Sequence, residues 1–145
     1  MVLQRWQSVY LLLATILMGV YSFSTIAEIG IEAATVEIGM TGSNPEIGAS
    51  MWGFFVVSAL AAILALVTIF KFKTLKLQRR LCVIGGGITA ALIISLMIYL
   101  FNVECDMLSI SWSNILPVIA IIMFYLADLG ISKDIKTLSS YDRIR

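Results

Sequence analysis

The chain has 145 residues, 60% of them hydrophobic and only 13% charged, with a net charge of +1 and a mean hydropathy of +0.99. Soluble domains carry about a quarter charged residues, so this composition excludes one and fits a single membrane domain, residues 1–145, without electrostatic pull toward nucleic acid. There is no histidine, which removes the commonest general base and the commonest transition-metal ligand.

The first apolar block runs from Val9 to Ala27, preceded by Gln4, Arg5 and Gln7. Its basic lead and Thr25-Ile26-Ala27 also fit a cleavable secretory signal; the expectation is an uncleaved anchor that crosses the bilayer. Residues 28–51 form an outer loop with Glu28, Glu32, Glu37 and Glu46 and no Lys or Arg. Glu-Ile-Gly recurs at 28, 37 and 46. A nine-residue step matches neither strand nor helix periodicity, so the repeat reads as drift. Ala34, Val36, Ile38 and Met40 alternate, as do Ile47, Ala49 and Met51, around Thr-Gly-Ser-Asn-Pro. That pattern predicts a small β-hairpin with one apolar face.

The second span covers 52–70. Trp52 suits the interface, and Ser58, Ala61, Ala62 and Ala65 form a small-residue stripe that lets another helix come close. The connector 71–80 holds Lys71, Lys73, Lys76, Arg79 and Arg80, half of the chain's basic residues. The third span, 81–101, carries Gly85, Gly86 and Gly87. They read as helix packing sites, since no Lys-Ser/Thr follows to make a phosphate loop. Cys82 and Cys105 sit at opposite ends of this span, about 30 Å apart, too far to form a disulfide.

A second outer loop, 102–111, carries Glu104 and Asp106. The fourth span covers 112–130, with Pro117 in its first turn if Ser113 or Asn114 is the cap. Gly130 is placed to end the helix and Ser132 to cap another. In the tail, 131–145, Ile131, Ile135, Leu138 and Tyr141 recur at helical steps. They predict a short amphipathic helix on the membrane surface, with Lys133 and Lys136 toward the headgroups.

All ten Lys and Arg fall on one side of these four spans, and six carboxylates with no base fall on the other. Basic bias in short loops sets topology, so both termini are expected in the cytoplasm. The expected fold is all-α: a four-transmembrane-helix bundle in the inner membrane.

Both ends of the chain resemble a known family. Gln4-Arg5-Trp6-Gln7-Ser8-Val9-Tyr10-Leu11 is similar to the Q-R-I-Q-[ST]-V-[YW]-L opening of domain-of-unknown-function family 4293. Lys133-Asp134 and the ending Asp142-Arg143-Ile144-Arg145 resemble its K-D-E…L-V…D-R-L-R finish. Ile135 departs from it where a Glu is usual, and Ser132 where a basic residue is. The resemblance implies a small four-span inner-membrane protein of Bacteroidetes and implies no activity.

No catalytic, cofactor-binding or metal-ligating set emerges. Disulfide formation in a membrane enzyme needs paired outer cysteines, and only Cys105 lies outside. Ion coupling needs an ionisable group within the bilayer. The one candidate is Asp128, within a turn of the fourth span's inner end, where pairing with Arg5 or a connector lysine is the plainer reading. What remains is a basic inner face: Gln4, Arg5, Gln7, Lys71, Lys73, Lys76, Arg79, Arg80, Asp142, Arg143 and Arg145. The leading expectation is a non-catalytic accessory or scaffold subunit that docks a protein partner or anionic lipid there. The plain alternative is that these charges only set topology. A second class is a small transporter or pore made by oligomers through the small-residue stripes, lined thinly by Thr15, Ser22, Ser58, Thr68, Thr89 and Ser95. A lipid-modifying enzyme around Asp128 is third.

Overall fold

A computed structural model describes residues 2–31, 34–39, 43–44, 49–71, 74–102 and 107–142. Four helices, α1 (Val2–Ser22), α2 (Trp52–Phe70), α3 (Leu75–Asn102) and α4 (Ile115–Asp142), carry most of the chain. An apolar chain in hydrocarbon must satisfy its backbone polar groups internally, and a helix does so within one segment. By length and composition α2, α3 and α4 suffice to cross a membrane, while the apolar part of α1, Trp6–Ser22, is shorter. Helices α3 and α4 have 28 residues each. At 1.5 Å per residue they run about 42 Å, beyond a hydrocarbon core of about 30 Å.

Each helix turns a seam inward at steps of three and four. The buried positions are Gln7, Leu11, Ala14, Met18 and Tyr21 on α1, and Ser58, Ala61, Ala65 and Thr68 on α2. Helix α3 contributes Gln78, Cys82, Gly85, Thr89, Leu92, Leu96 and Leu100. Helix α4 contributes Pro117, Ala120, Phe124, Ala127 and Ile131. This spacing is that of left-handed helix bundles. Each helix packs on its sequence neighbour, and α1 closes the ring on α4. Outward faces are apolar instead of charged, as at Leu12, Ile16, Leu60, Ile63, Ile94, Ile98, Val118 and Ile122. With Leu turned to the surroundings, small seam residues give the close backbone approach that membrane helices use in place of hydrophobic collapse.

The helix ends differ. At one end the chain forms β1 (Thr25–Ile31), β2 (Ala34–Gly39) and β5 (Met107–Ile110), an antiparallel sheet in the order β2-β1-β5. A separate two-stranded piece pairs β3 (Ser43–Asn44) with β4 (Ala49–Ser50). The larger sheet ties the α1–α2 connection to the α3–α4 connection. Ile26 and Ala27 are buried in the same cluster as Met18, Tyr21, Met51, Leu100 and Ala120. Asn114, just ahead of α4, locks the junction. Its Nδ2 donates to the carbonyls of Ile26 (2.7 Å) and Ser111 (3.0 Å), and its Oδ1 accepts from Tyr21 Oη at 3.0 Å.

Several sequence expectations need correction. The first helix stops at Ser22, not Ala27, because Ile26 gives its carbonyl to Ser111 N–H and the Asn114 amide, and Ala27 pairs with Ile38 and Ile110. The strand over 34–39 exists, but its partner is 25–31 instead of 47–51. Two Glu-Ile-Gly copies thereby lie in neighbouring strands with Glu28 and Glu37 as direct partners, so their spacing has a structural consequence. Helix α3 begins at Leu75, inside the expected 71–80 loop, with Gln78 N–H bonded to Thr74 O at 2.9 Å. Leu75, Gln78 and Cys82 extend the inward seam, which makes that turn worth forming. The separate tail helix is absent: α4 runs unbroken through Gly130 and Ser132 to Asp142. Pro117 does sit in the first turn of α4, as expected. Met40, Lys73, Cys105, Arg143 and Arg145 lie outside the described residues.

Candidate functional site

At the end opposite the larger sheet, the start of α1, the end of α2, the start of α3 and the end of α4 come together. Here the seam turns polar. Gln7 on α1 and Gln78 on α3 are each 1% exposed, one turn beyond Leu11 and Cys82 in the same inward stripes. Gln7 Nε2 donates to Asp134 Oδ2 of α4 at 2.8 Å. The contact requires Gly130: a β-carbon there would lie 2.8 Å from Gln7 Cγ and 3.2 Å from Nε2. This glycine provides room for a side chain and does not stop the helix. The Oε1 atoms of both glutamines are buried without a protein partner, so this layer retains unused acceptors.

Outside that layer lie the cations. Lys76, Arg79 and Arg80 are exposed on α3, Lys71 follows α2, and Lys133 and Lys136 lie on α4. Arg79 Nε meets Asp128 Oδ1 at 3.2 Å, with the arginine side chain 52% and the carboxylate 21% exposed. Between α3 and α4 a groove of about 580 Å³ is lined by Lys76, Arg79, Arg80, Val83, Ile84 and Ile135. A second groove of about 430 Å³, between α1 and α4, is lined by Trp6, Gln7, Tyr10, Leu126, Leu129, Gly130 and Lys133. Among the described residues no three His, Cys, Asp or Glu side chains gather to hold a metal ion.

Residues 3–144 match the model of a family described as "Domain of unknown function (DUF4293)". The chain belongs to the DUF4293 family. No curated protein matches it, and no solved structure does. In this DUF4293 chain the two terminal stretches that carry the family resemblance touch, since Gln7 lies in the first and Asp134 in the second.

The expected docking residues divide into three groups. Gln7, Lys71, Lys76, Arg79 and Arg80 are brought to one end of the bundle, although Gln7 is buried and serves the α1–α4 contact. Gln4 and Arg5 fall in the first turns of α1, and Asp142 ends α4. Lys73, Arg143 and Arg145 are beyond the described residues. Asp128 does pair with a base: its described partner is Arg79 of the connector, while the side chain of Arg5 and all of Lys73 lie outside what the structure describes. A β-carbon on Gly85 would press into the Phe124 ring and one on Gly86 would touch Phe124 Cβ, while one on Gly87 would meet open space. Ala61 and Ala65 are fully buried in the chain's own bundle, so that stripe is already occupied.

Sequence reasoning missed Gln78, Asp134 and Gly130 as a group. The available signal was the seam itself: Gln78 precedes Cys82 and Gly85 by four and seven, and Gln7 precedes Leu11 and Ala14 likewise.

Proposed function

We propose that this DUF4293 chain is a four-span inner-membrane protein with both termini in the cytoplasm. In this reading it is a non-catalytic accessory or scaffold subunit whose basic end docks a protein partner or anionic lipid. The observation that carries the reading is the position of the described bases: Lys71, Lys76, Arg79, Arg80, Lys133 and Lys136 all sit at one end of the bundle, beyond an apolar belt. Charge in short loops resists translocation, which favours the cytoplasm for that end. Helix α1 counts as the fourth span because its 21 residues would reach about 31 Å.

A small pore is the competing reading, and the hydroxyls weigh against it. Thr15, Thr68 and Thr89 each donate to the carbonyl four residues back, and Ser95 to the one three back. Ser22 and Ser58 lie within reach of the carbonyls of Met18 and Phe55 and 2.8 Å from each other, so one of the two hydroxyls donates to its carbonyl and the other donates across to it. These groups are satisfied by protein and do not require a water column. A lipid-modifying enzyme needs several polar groups around Asp128, whose described ion-pair partner is Arg79.

Two measurements test the proposal. A reporter fused near Met40 should be active only outside the cytoplasm. Native co-purification should lose a partner or bound lipid when Arg143 and Arg145 are replaced by Ala; unchanged partners and unchanged lipid content would remove the docking role.

A further inference from the structure

We propose that the groove between α3 and α4 is a binding site for one anionic phospholipid, with its phosphate held by Lys76 and Arg80 and one acyl chain lying along Val83 and Ile84. This names the ligand of the basic end and rests on the reading that this end meets lipid headgroups.

The groove joins two chemistries that a soluble ligand rarely needs together. Among the described residues its lining has three cations, Lys76, Arg79 and Arg80, and no acid. Asp128 engages Arg79 at 3.2 Å, which leaves Lys76 and Arg80 as the cations without a described ion-pair partner. Two such charges complement a phosphodiester, and a guanidinium can offer it two parallel N–H donors. One helical turn further, about 5.4 Å along α3, the wall becomes Val83 and Ile84, 59% and 50% exposed. These two continue into the outward apolar face that Ile94 and Ile98 carry along the same helix. Ile135 of α4 closes the opposite side. A ligand filling this space must be negative at the outer end and hydrocarbon at the inner end. Basic pockets between membrane helices bind phospholipid headgroups on this principle. An acidic peptide would complement the cations but would leave Val83 and Ile84 against lipid without using them. Among the described residues the neighbouring groove between α1 and α4 has a single cation, Lys133, and provides an internal comparison.

The test uses the full chain in nanodiscs, where both leaflets have the same lipid and orientation does not enter. Phosphatidylglycerol is titrated against a phosphatidylcholine background, and bound lipid is read by native mass spectrometry. The unaltered chain should retain phosphatidylglycerol in preference. K76A/R80A should weaken retention about tenfold or more. Ile84→Trp should weaken it as well, by filling the apolar half without changing charge. K133A/K136A removes the same charge from the same end and should leave retention within about twofold.

Equal loss in K76A/R80A and K133A/K136A would overturn the site in favour of diffuse surface charge. Displacement by soluble glycerol phosphate at the concentration that phosphatidylglycerol requires would show that the acyl arm contributes nothing, and would also overturn it. So would preferential capture of an acidic peptide, or no preference for phosphatidylglycerol. A negative titration removes the lipid and leaves the topology standing, whereas a reporter near Met40 active in the cytoplasm removes the topology and leaves the titration standing.

Discussion

Adding one methyl group to each of the three consecutive glycines of α3 in turn separates packing from helix propensity. Gly85, Gly86 and Gly87 lie mid-helix, so Gly→Ala gains the same intrinsic term at each, about 1 kcal/mol. Their surroundings differ. A β-carbon on Gly85 would lie 2.8 Å from Phe124 Cε1 and 3.0 Å from Cζ, on Gly86 3.6 Å from Phe124 Cβ, and on Gly87 more than 4 Å from any described group beyond its own helical turn. Phe124 is 2% exposed and clustered with Leu11, Ala65 and Ala127, so its ring can yield only by pressing on the seam. Overpacking of this kind costs about 1–3 kcal/mol. G87A should therefore stabilise by about 1 kcal/mol, while G85A should be neutral to destabilising by about 2 kcal/mol. The gap between them, about 1–3 kcal/mol, is the packing term alone. Reversible unfolding in mixed micelles, followed by circular dichroism, would measure it. Phe124→Leu should narrow the gap when combined with G85A, because the clashing ring edge is gone. G85A as stable as G87A would refute the close α3–α4 approach.

Four more outcomes are expected from the contacts. Gln7→Leu should destabilise by about 1–3 kcal/mol, since it removes the described donor to Asp134, and the same unfolding assay reads it. Asn114→Ala should leave the buried Tyr21 hydroxyl unpaired at a cost of about 1–3 kcal/mol, with faster amide exchange in β1 as the local signature. A double-mutant cycle on Ser22 and Ser58 should give a coupling of about 0.6 kcal/mol, the usual size for hydrogen bonds between membrane helices. The equivalent cycle on Arg79 and Asp128 should give less than about 1 kcal/mol, because the arginine is half exposed, and the coupling should fall further in high salt.

The four helices were legible because apolar runs of about 20 residues have few alternatives in a membrane protein. Their ends were not, and each miss has a local cause. Thr25-Ile26-Ala27 is apolar and adjoins a helix, so composition extends the helix through it; only pairing with Ile38 and Ile110, far along the chain, makes it a strand. Gly130 has the residue type of a helix stop, but the next residue, Ile131, belongs to the buried stripe of α4 and holds the chain in the helix. The hairpin was half right because alternation over 34–39 specifies a strand and says nothing about which strand it joins. Basic residues at the candidate site could be counted from sequence. The buried glutamine layer beneath them left only its spacing of four and seven ahead of the seam as a signal, and polar residues at the edge of an apolar run look interfacial until that seam is laid out in three dimensions.

The two ends of the bundle solve one problem differently, and the difference bears on where function can reside. At the sheet end the chain closes on itself: β1 joins both connections, the Asn114 side chain makes three hydrogen bonds, and Ile26 and Ala27 share a buried cluster with Leu100. Side chains there are committed to holding the helices together. At the basic end Gln7 with Asp134 helps to fasten α1 to α4, and Arg79 with Asp128 helps to fasten α3 to α4. The residues of the two family-like terminal stretches that meet are thus spent on closure. Lys76 and Arg80 are left lining a groove with no described carboxylate for either. A charge needed only to orient the chain in the membrane could sit anywhere on that surface; cations that line a recess with Val83 and Ile84 beneath them have a shape as well as a sign. It is the recess, more than the number of positive residues, that separates a docking site from a topological signal.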